Sequence, residues 1–284
     1  WMSAETKEKA INKLNSITVK CGYPDKWKDL SSVKITRDAY LANIKNINQW
    51  SFERSIQKYG KPVDKTEWEM TPQTYNAYYN PVDNEIVVPA CNIIVPGFEG
   101  QMPDDAVLYG IIGGSTFGHE ITHGFDDQGS KYDGDGNLVN WWSDIDRKEF
   151  EKRTKKLIDQ YDQLSPAAAP DVKVNGALTV GENIGDLGGL TIAYKAYEIS
   201  LAGVQPPVID GYNGSQRFFM GWAQSWRGKY RVEEVRRRIA TDPHSPDEFR
   251  CNQIVANLDE FYQAFGVSEN DKHFMKADER VRIW

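Results

Sequence analysis

The pentapeptide His119-Glu120-Ile121-Thr122-His123 constrains this chain more than any other stretch of it. The apolar run Ala106-Val107-Leu108-Tyr109-Gly110-Ile111-Ile112 lies upstream, and Gly124 follows directly. On a helix, residues four apart lie one above the other, so both imidazoles face the same way and can grip one metal ion. Glu120 then stands beside the first ligand, where its carboxylate can act as base toward an attacking water. That combination is the signature of a zinc peptidase helix. The chain has only 4 histidines in 284 residues, so an accidental pairing at this spacing is rare.

Composition narrows the setting. Hydrophobic residues make up 40% and charged residues 26% of the chain, proportions ordinary for a globular protein with a sizeable core. No stretch approaches the ~18–20 apolar residues of a membrane span. A net charge of -7 lacks the basic footprint of a nucleic-acid or anionic-membrane binder. Cys21, Cys91 and Cys251 are odd in number and widely spaced, which fits neither a disulfide framework nor a thiolate metal site. Trp1 precedes Met2, and the sequence runs at once into a helical pattern, as expected of a piece of a longer protein.

The periodicities predict a helix from Ala4 to about Val19, a turn at Cys21-Gly22-Tyr23-Pro24, and a second helical stretch from Thr36 to Tyr59. Residues Asn76 to Pro89 read as a β-hairpin turning at Pro81-Val82-Asp83-Asn84. Helix is expected again from Pro103 through Gly124, from Asp144 to about Leu164, from about Leu178 to Ser200, and over most of the remainder. The polar segment Asp126 to Asn137 holds a calcium-loop-like Asp133-Gly134-Asp135-Gly136-Asn137. Leu138 stands where such a loop needs glycine, so turns are expected instead. The fold class is mainly α with small β elements (α+β), in one domain spanning 1–284.

Two histidines do not complete a catalytic zinc site, which takes three protein ligands and one open position. An extended motif with a third histidine fails, because its glycine position is Asp126 and its histidine position is Gly129. Glu182-Asn183-Ile184-Gly185-Asp186 offers the alternative of a downstream carboxylate. Glu182 and Asp186 share a helix face, so one can bind metal while the other accepts the N–H of a ligand imidazole. A plain solvated acidic face is the competing interpretation. Against it, Gly181 to Leu190 has no basic residue, and Gly185, Gly188 and Gly189 allow close helix packing.

With these segments in view, the chain resembles the C-terminal, catalytic half of neprilysin-like zinc metalloendopeptidases, nearest the bacterial oligoendopeptidase O type. The matching residues are Trp1-Met2, Asn76-Ala77-Tyr78-Tyr79, Gly118-His119-Glu120-Ile121-Thr122-His123-Gly124-Phe125-Asp126, Trp141-Trp142, Gly181-Glu182-Asn183-Ile184-Gly185-Asp186, Ala223-Gln224-Ser225-Trp226, His244-Ser245-Pro246 and Trp284. The resemblance implies a thermolysin-like zinc-peptidase core holding one Zn2+ on His119, His123 and Glu182. It implies Glu120 as general base, Asp186 as orienter of His119, and His244 and Arg250 as stabilisers of the reacting peptide, with Asp242 supporting His244. Asn76, Ala77 and Trp226 would bind substrate, the first two as an added strand. Peptides and a further N-terminal lobe are the implied partners, and a bacterial periplasmic or cell-envelope location is favoured over the cytoplasm.

Departures matter too. Arg227 and Val281 stand where animal members carry cysteines, and Gly97, Thr116 and Ser225 are small or polar where the pocket beyond the scissile bond is expected. Two other readings compete with an endopeptidase. One is a catalytically idle binding or adhesion module that keeps zinc as structure; the other is a zinc exopeptidase, for which no terminal-group anchor is evident.

Overall fold

The computed structural model describes residues 1–284. Helix α1 (Ala4–Asn15) begins where Ser3 caps the amide of Thr6. It ends earlier than the helical pattern suggests, because Thr18–Gly22 forms strand β1. That strand pairs in parallel with β3 (Glu85–Pro89), Thr18 opposite Glu85, while β2 (Tyr78–Asn80) pairs antiparallel on the other side of β3. Tertiary pairing thus overrides the local helical signal, on a segment where Val19 and Cys21 suit a pleated strand. The predicted hairpin is present as β2 and β3, and the small sheet has the order β1-β3-β2.

Helix α2 (Tyr40–Lys58) buries none of its residues. Beyond the sheet, α3 (Asp105–Leu108) runs without a break into a π-helical stretch, Tyr109–Gly118, and then into α4 (His119–His123). Helices α5 (Asp144–Tyr161), α6 (Gly176–Ser200), α7 (Gly214–Ser225), α8 (Val232–Thr241), α9 (Asp247–Val255) and α10 (Asp259–Phe265) complete the chain. In the segment between α4 and α5, Asp133 Oδ1 accepts the amides of Asp135 and Asn137, the closed turn expected in place of a calcium loop.

The core gathers around α6, whose Ile184 and Leu190 are fully buried against Phe150, Leu157, Tyr161, Phe218 and Trp222. Glycines set how closely its neighbours approach. A Cβ at Gly118 would lie 2.5 Å from the Gly189 carbonyl oxygen, and one at Gly189 would lie 2.6 Å from the His119 amide nitrogen. The metal-motif helix and α6 therefore meet backbone to backbone, a separation that a β-carbon at either position would forbid. This contact brings the centre of α6 under α4.

Candidate active site

Within this crossing, His119 and His123 project from α4 with their Nε2 atoms 2.9 Å apart. From α6, Glu182 places Oε2 3.2 Å from His119 Nε2 and Oε1 3.7 Å from His123 Nε2. Ligand atoms from these three residues all lie within 4.8 Å of one another. Glu182 Oε2 is buried and accepts no aligned hydrogen bond, although imidazole nitrogens of His119 and His244 each approach to 3.2 Å. Buried acceptors are normally satisfied, and two imidazoles with one carboxylate form the donor set of catalytic zinc sites. The residues present fit such an ion.

Each of the two rings has a partner on its far side. His119 Nδ1 lies 2.9 Å from Asp186 Oδ1, without the alignment of a full hydrogen bond, and His123 Nδ1 lies 2.7 Å from Asp126 Oδ2. The role of Asp126 is not among the sequence expectations, although it sits only three residues past His123. Arg250, from α9, forks onto Asp186 with Nε 2.7 Å from Oδ2 and an Nη 2.8 Å from Oδ1. Its guanidinium also lies 4.1 Å above the Trp226 ring. Asp242 Oδ1 accepts the His244 amide and lies 2.8 Å from its Nδ1. Ser245 ties the same loop to α6 by donating to Asn183 Oδ1 at 2.8 Å.

Charge follows from this packing. Burial opposes protonation of His119, but Asp186 and Glu182 outweigh it and lift the imidazole to about 10. Glu120 is 6% exposed, and burial pushes its carboxyl above the usual range against the pull of His119 and His123. A raised carboxyl is suited to accept a proton and release it again. Burial would also raise Glu182 and Asp186, yet both fall below the ordinary range. Glu182 is held there by its imidazole neighbours and Asp186 by Arg250.

The site opens into a cleft of about 1200 Å3. Asn76 and Ala77 line it on the approach to β2, an edge strand of the sheet, and Trp226 lines it at the end of α7. Thr116 and Ser225 also face the cleft, whereas Gly97 is not among its lining residues.

A helical scaffold that converges two imidazoles and a downstream glutamate beside a buried carboxylate has the architecture of HExxH metallopeptidases with a glutamate ligand. The family described as Peptidase family M13 matches residues 76–281, and the chain belongs to that family. Neprilysin-11 of Caenorhabditis elegans is 38% identical over 296 residues, covering 100% of this chain and 34% of that protein. Neprilysin of Homo sapiens is 36% identical over 296 residues, covering 100% of this chain and 39% of that protein. A crystal structure of the Mycobacterium tuberculosis zinc metalloprotease ZMP1 in complex with inhibitor superimposes with a TM-score of 0.95 at 55% identity. It covers 100% of this chain and 44% of its own. The chain thus spans less than half the length of each of these relatives.

Proposed function

We propose that residues 1–284 form the catalytic unit of a zinc-dependent endopeptidase, the C-terminal part of a longer protein, cutting internal bonds of oligopeptides. The convergence of His119, His123 and Glu182, whose ligand atoms all lie within 4.8 Å of one another beside the buried Glu120, carries this reading. When bound by His119, His123 and Glu182, zinc supplies Lewis acidity that polarises the scissile carbonyl and makes water a stronger acid. Glu120 takes a proton from the attacking water and hands it to the leaving amine nitrogen. His244, protonated on both nitrogens, donates Nδ1–H to Asp242 and Nε2–H to the carbonyl oxygen as negative charge builds there. Asp186 orients His119, and Arg250 holds Asp186 in place while its remaining donor capacity faces the peptide. An extended substrate adds as a strand along the β2 edge near Asn76 and Ala77, with Trp226 supporting the opposite wall.

A purely structural zinc site closes its fourth position with another protein ligand, and the cluster here has three ligand residues. The bare face of α2, with exposed Tyr40, Leu41, Phe52 and Ile56, supports an additional lobe contributed by the rest of the protein. The test is digestion of a mixed library of oligopeptides blocked at both ends, using the full-length protein. Internal cleavage that a chelator abolishes and added zinc restores is expected. Chelator-insensitive cleavage, or trimming only of unblocked ends, would overturn the proposal.

A further inference from the structure

Lys13 is 2% exposed, and its ammonium donates to the carbonyl oxygens of Gly129 and Tyr132, each at 2.7 Å. The rings of Phe125, Tyr79 and Trp141 surround it with centroids 5.5, 5.9 and 6.0 Å away. Removing an ammonium from water is costly, and a methionine or leucine would fill the same space without that cost. A cation kept here therefore points to a task beyond packing. The two carbonyls belong to the tight turn that follows the metal-motif helix, and the same turn meets the site on its other side. Asp126 Oδ1 accepts the amide of Gly129 at 2.6 Å and that of Gln128 at 2.8 Å, while Asp126 Oδ2 faces His123 Nδ1. No side chain is tolerated at Gly129, where a Cβ would lie 1.9 Å from the His123 carbonyl oxygen. Gly129 is thus held on both sides, its carbonyl by Lys13 and its amide by Asp126.

We infer that Lys13 is a positioning residue for the metal site, fixing the Gly129 turn so that Asp126 holds His123 at the angle a metal requires. The inference rests on the zinc-site assignment above. It extends the support of His123 by one step, from its own carboxylate partner to a side chain on α1, 110 residues upstream of the ligand it serves. Lys13 also anchors the hairpin beside the cleft, because its backbone carbonyl accepts from Asn84 Nδ2 at 3.2 Å and Asn84 Oδ1 accepts from the Tyr79 hydroxyl.

The experiment is a zinc titration against a competing chelator in the full-length protein, at a temperature where every variant is folded by circular dichroism. Lys13→Met, Asp126→Asn and the double variant are compared with wild type. Loss of an outer partner typically weakens metal binding by about 10–100-fold. Lys13→Met is expected to weaken zinc by about tenfold, and the double variant to be no weaker than Asp126→Asn, since Lys13 acts through that carboxylate. A residue that only stabilises the fold would lower the unfolding temperature and leave zinc affinity alone. Affinity within twofold of wild type in folded Lys13→Met, or fully additive losses in the double variant, would overturn the inference. If Lys13→Met does not fold, Lys13→Gln takes its place with the same expectation. Absence of zinc binding in wild type would instead defeat the underlying site assignment.

Discussion

Replacing Gly185 by alanine adds one methyl group to the face of α6 that packs on His119. At ideal geometry that carbon lies 2.8 Å from Cε1, 2.9 Å from Nδ1 and 3.3 Å from Nε2 of the imidazole. Favourable carbon contacts begin near ~3.5 Å, so the ring must retreat by roughly half an ångström or more. Two effects on stability oppose each other. Alanine in a helix interior gains ~0.5–1 kcal/mol over glycine, whereas overpacking typically costs ~1–3 kcal/mol. The metal-free fold is therefore expected to stay within about 2 kcal/mol of wild type. The site is affected more, because the ring must move away from α6. That motion opens the 2.9 Å approach to Asp186 and carries Nε2 away from the point it shares with His123 and Glu182. Zinc affinity should fall by at least ~10-fold, as it does when an outer partner of a ligand is lost. Urea unfolding of the metal-free protein and zinc competition with a chelator separate the two effects. Wild-type zinc affinity in a folded Gly185→Ala variant would refute the claim that close α6 packing sets the orientation of His119.

Further outcomes follow from the same geometry. Glu182→Ala should lose bound zinc by metal analysis while the helical signal persists; full occupancy would mean another residue completes the site. His244→Ala should lower kcat by about 10²–10³ with a small change in KM, the expected loss for one donor to a developing oxyanion, and a change confined to KM would contradict that role. Burial pushes the Lys13 ammonium down to about 8, against Asp126 and Asp133, which raise it. An unfolded lysine keeps its proton to ~10.4, so between these values the unfolded chain binds more protons and stability rises with pH, by up to roughly 3 kcal/mol. In the metal-free protein, the urea midpoint should climb between about pH 7 and about pH 10 relative to Lys13→Met. A flat difference would show that burial does not depress this lysine.

How much of this was legible in the sequence depended on the range of the interaction involved. His119, Glu120 and His123 fall in one helical turn, so spacing alone groups them. Glu182 and Asp186 sit one turn apart in a segment, Gly181 to Leu190, free of basic residues, and the glycines between and after them signal close packing. Asp126 was equally local, and it appeared as the residue that breaks a three-histidine motif and within the segment shared with the family, but spacing gave it no role. By contrast, strand Thr18–Gly22 exists because Glu85–Pro89 lies beside it, and no local periodicity reports a partner so far along the chain. The fork of Arg250 onto Asp186 spans 64 residues, and the contact of Lys13 with Gly129 spans 116. Such contacts arise from the helix crossing. The glycines Gly110, Gly113, Gly114 and Gly118 were visible in the sequence, but not the π-helical winding through them or their close approach to α6 and α7.

The central claim is that His119, His123 and Glu182 hold a catalytic zinc whose hydrolytic step needs Glu120 as base. Glu120→Gln tests it most directly, because the amide keeps the size and burial of the side chain and removes only its ability to take a proton. Zinc content and turnover of an internally quenched, end-blocked peptide would be measured on the same preparation of full-length protein. One zinc per chain with cleavage reduced by at least ~10²-fold is the predicted result. Full zinc occupancy with wild-type turnover would contradict it.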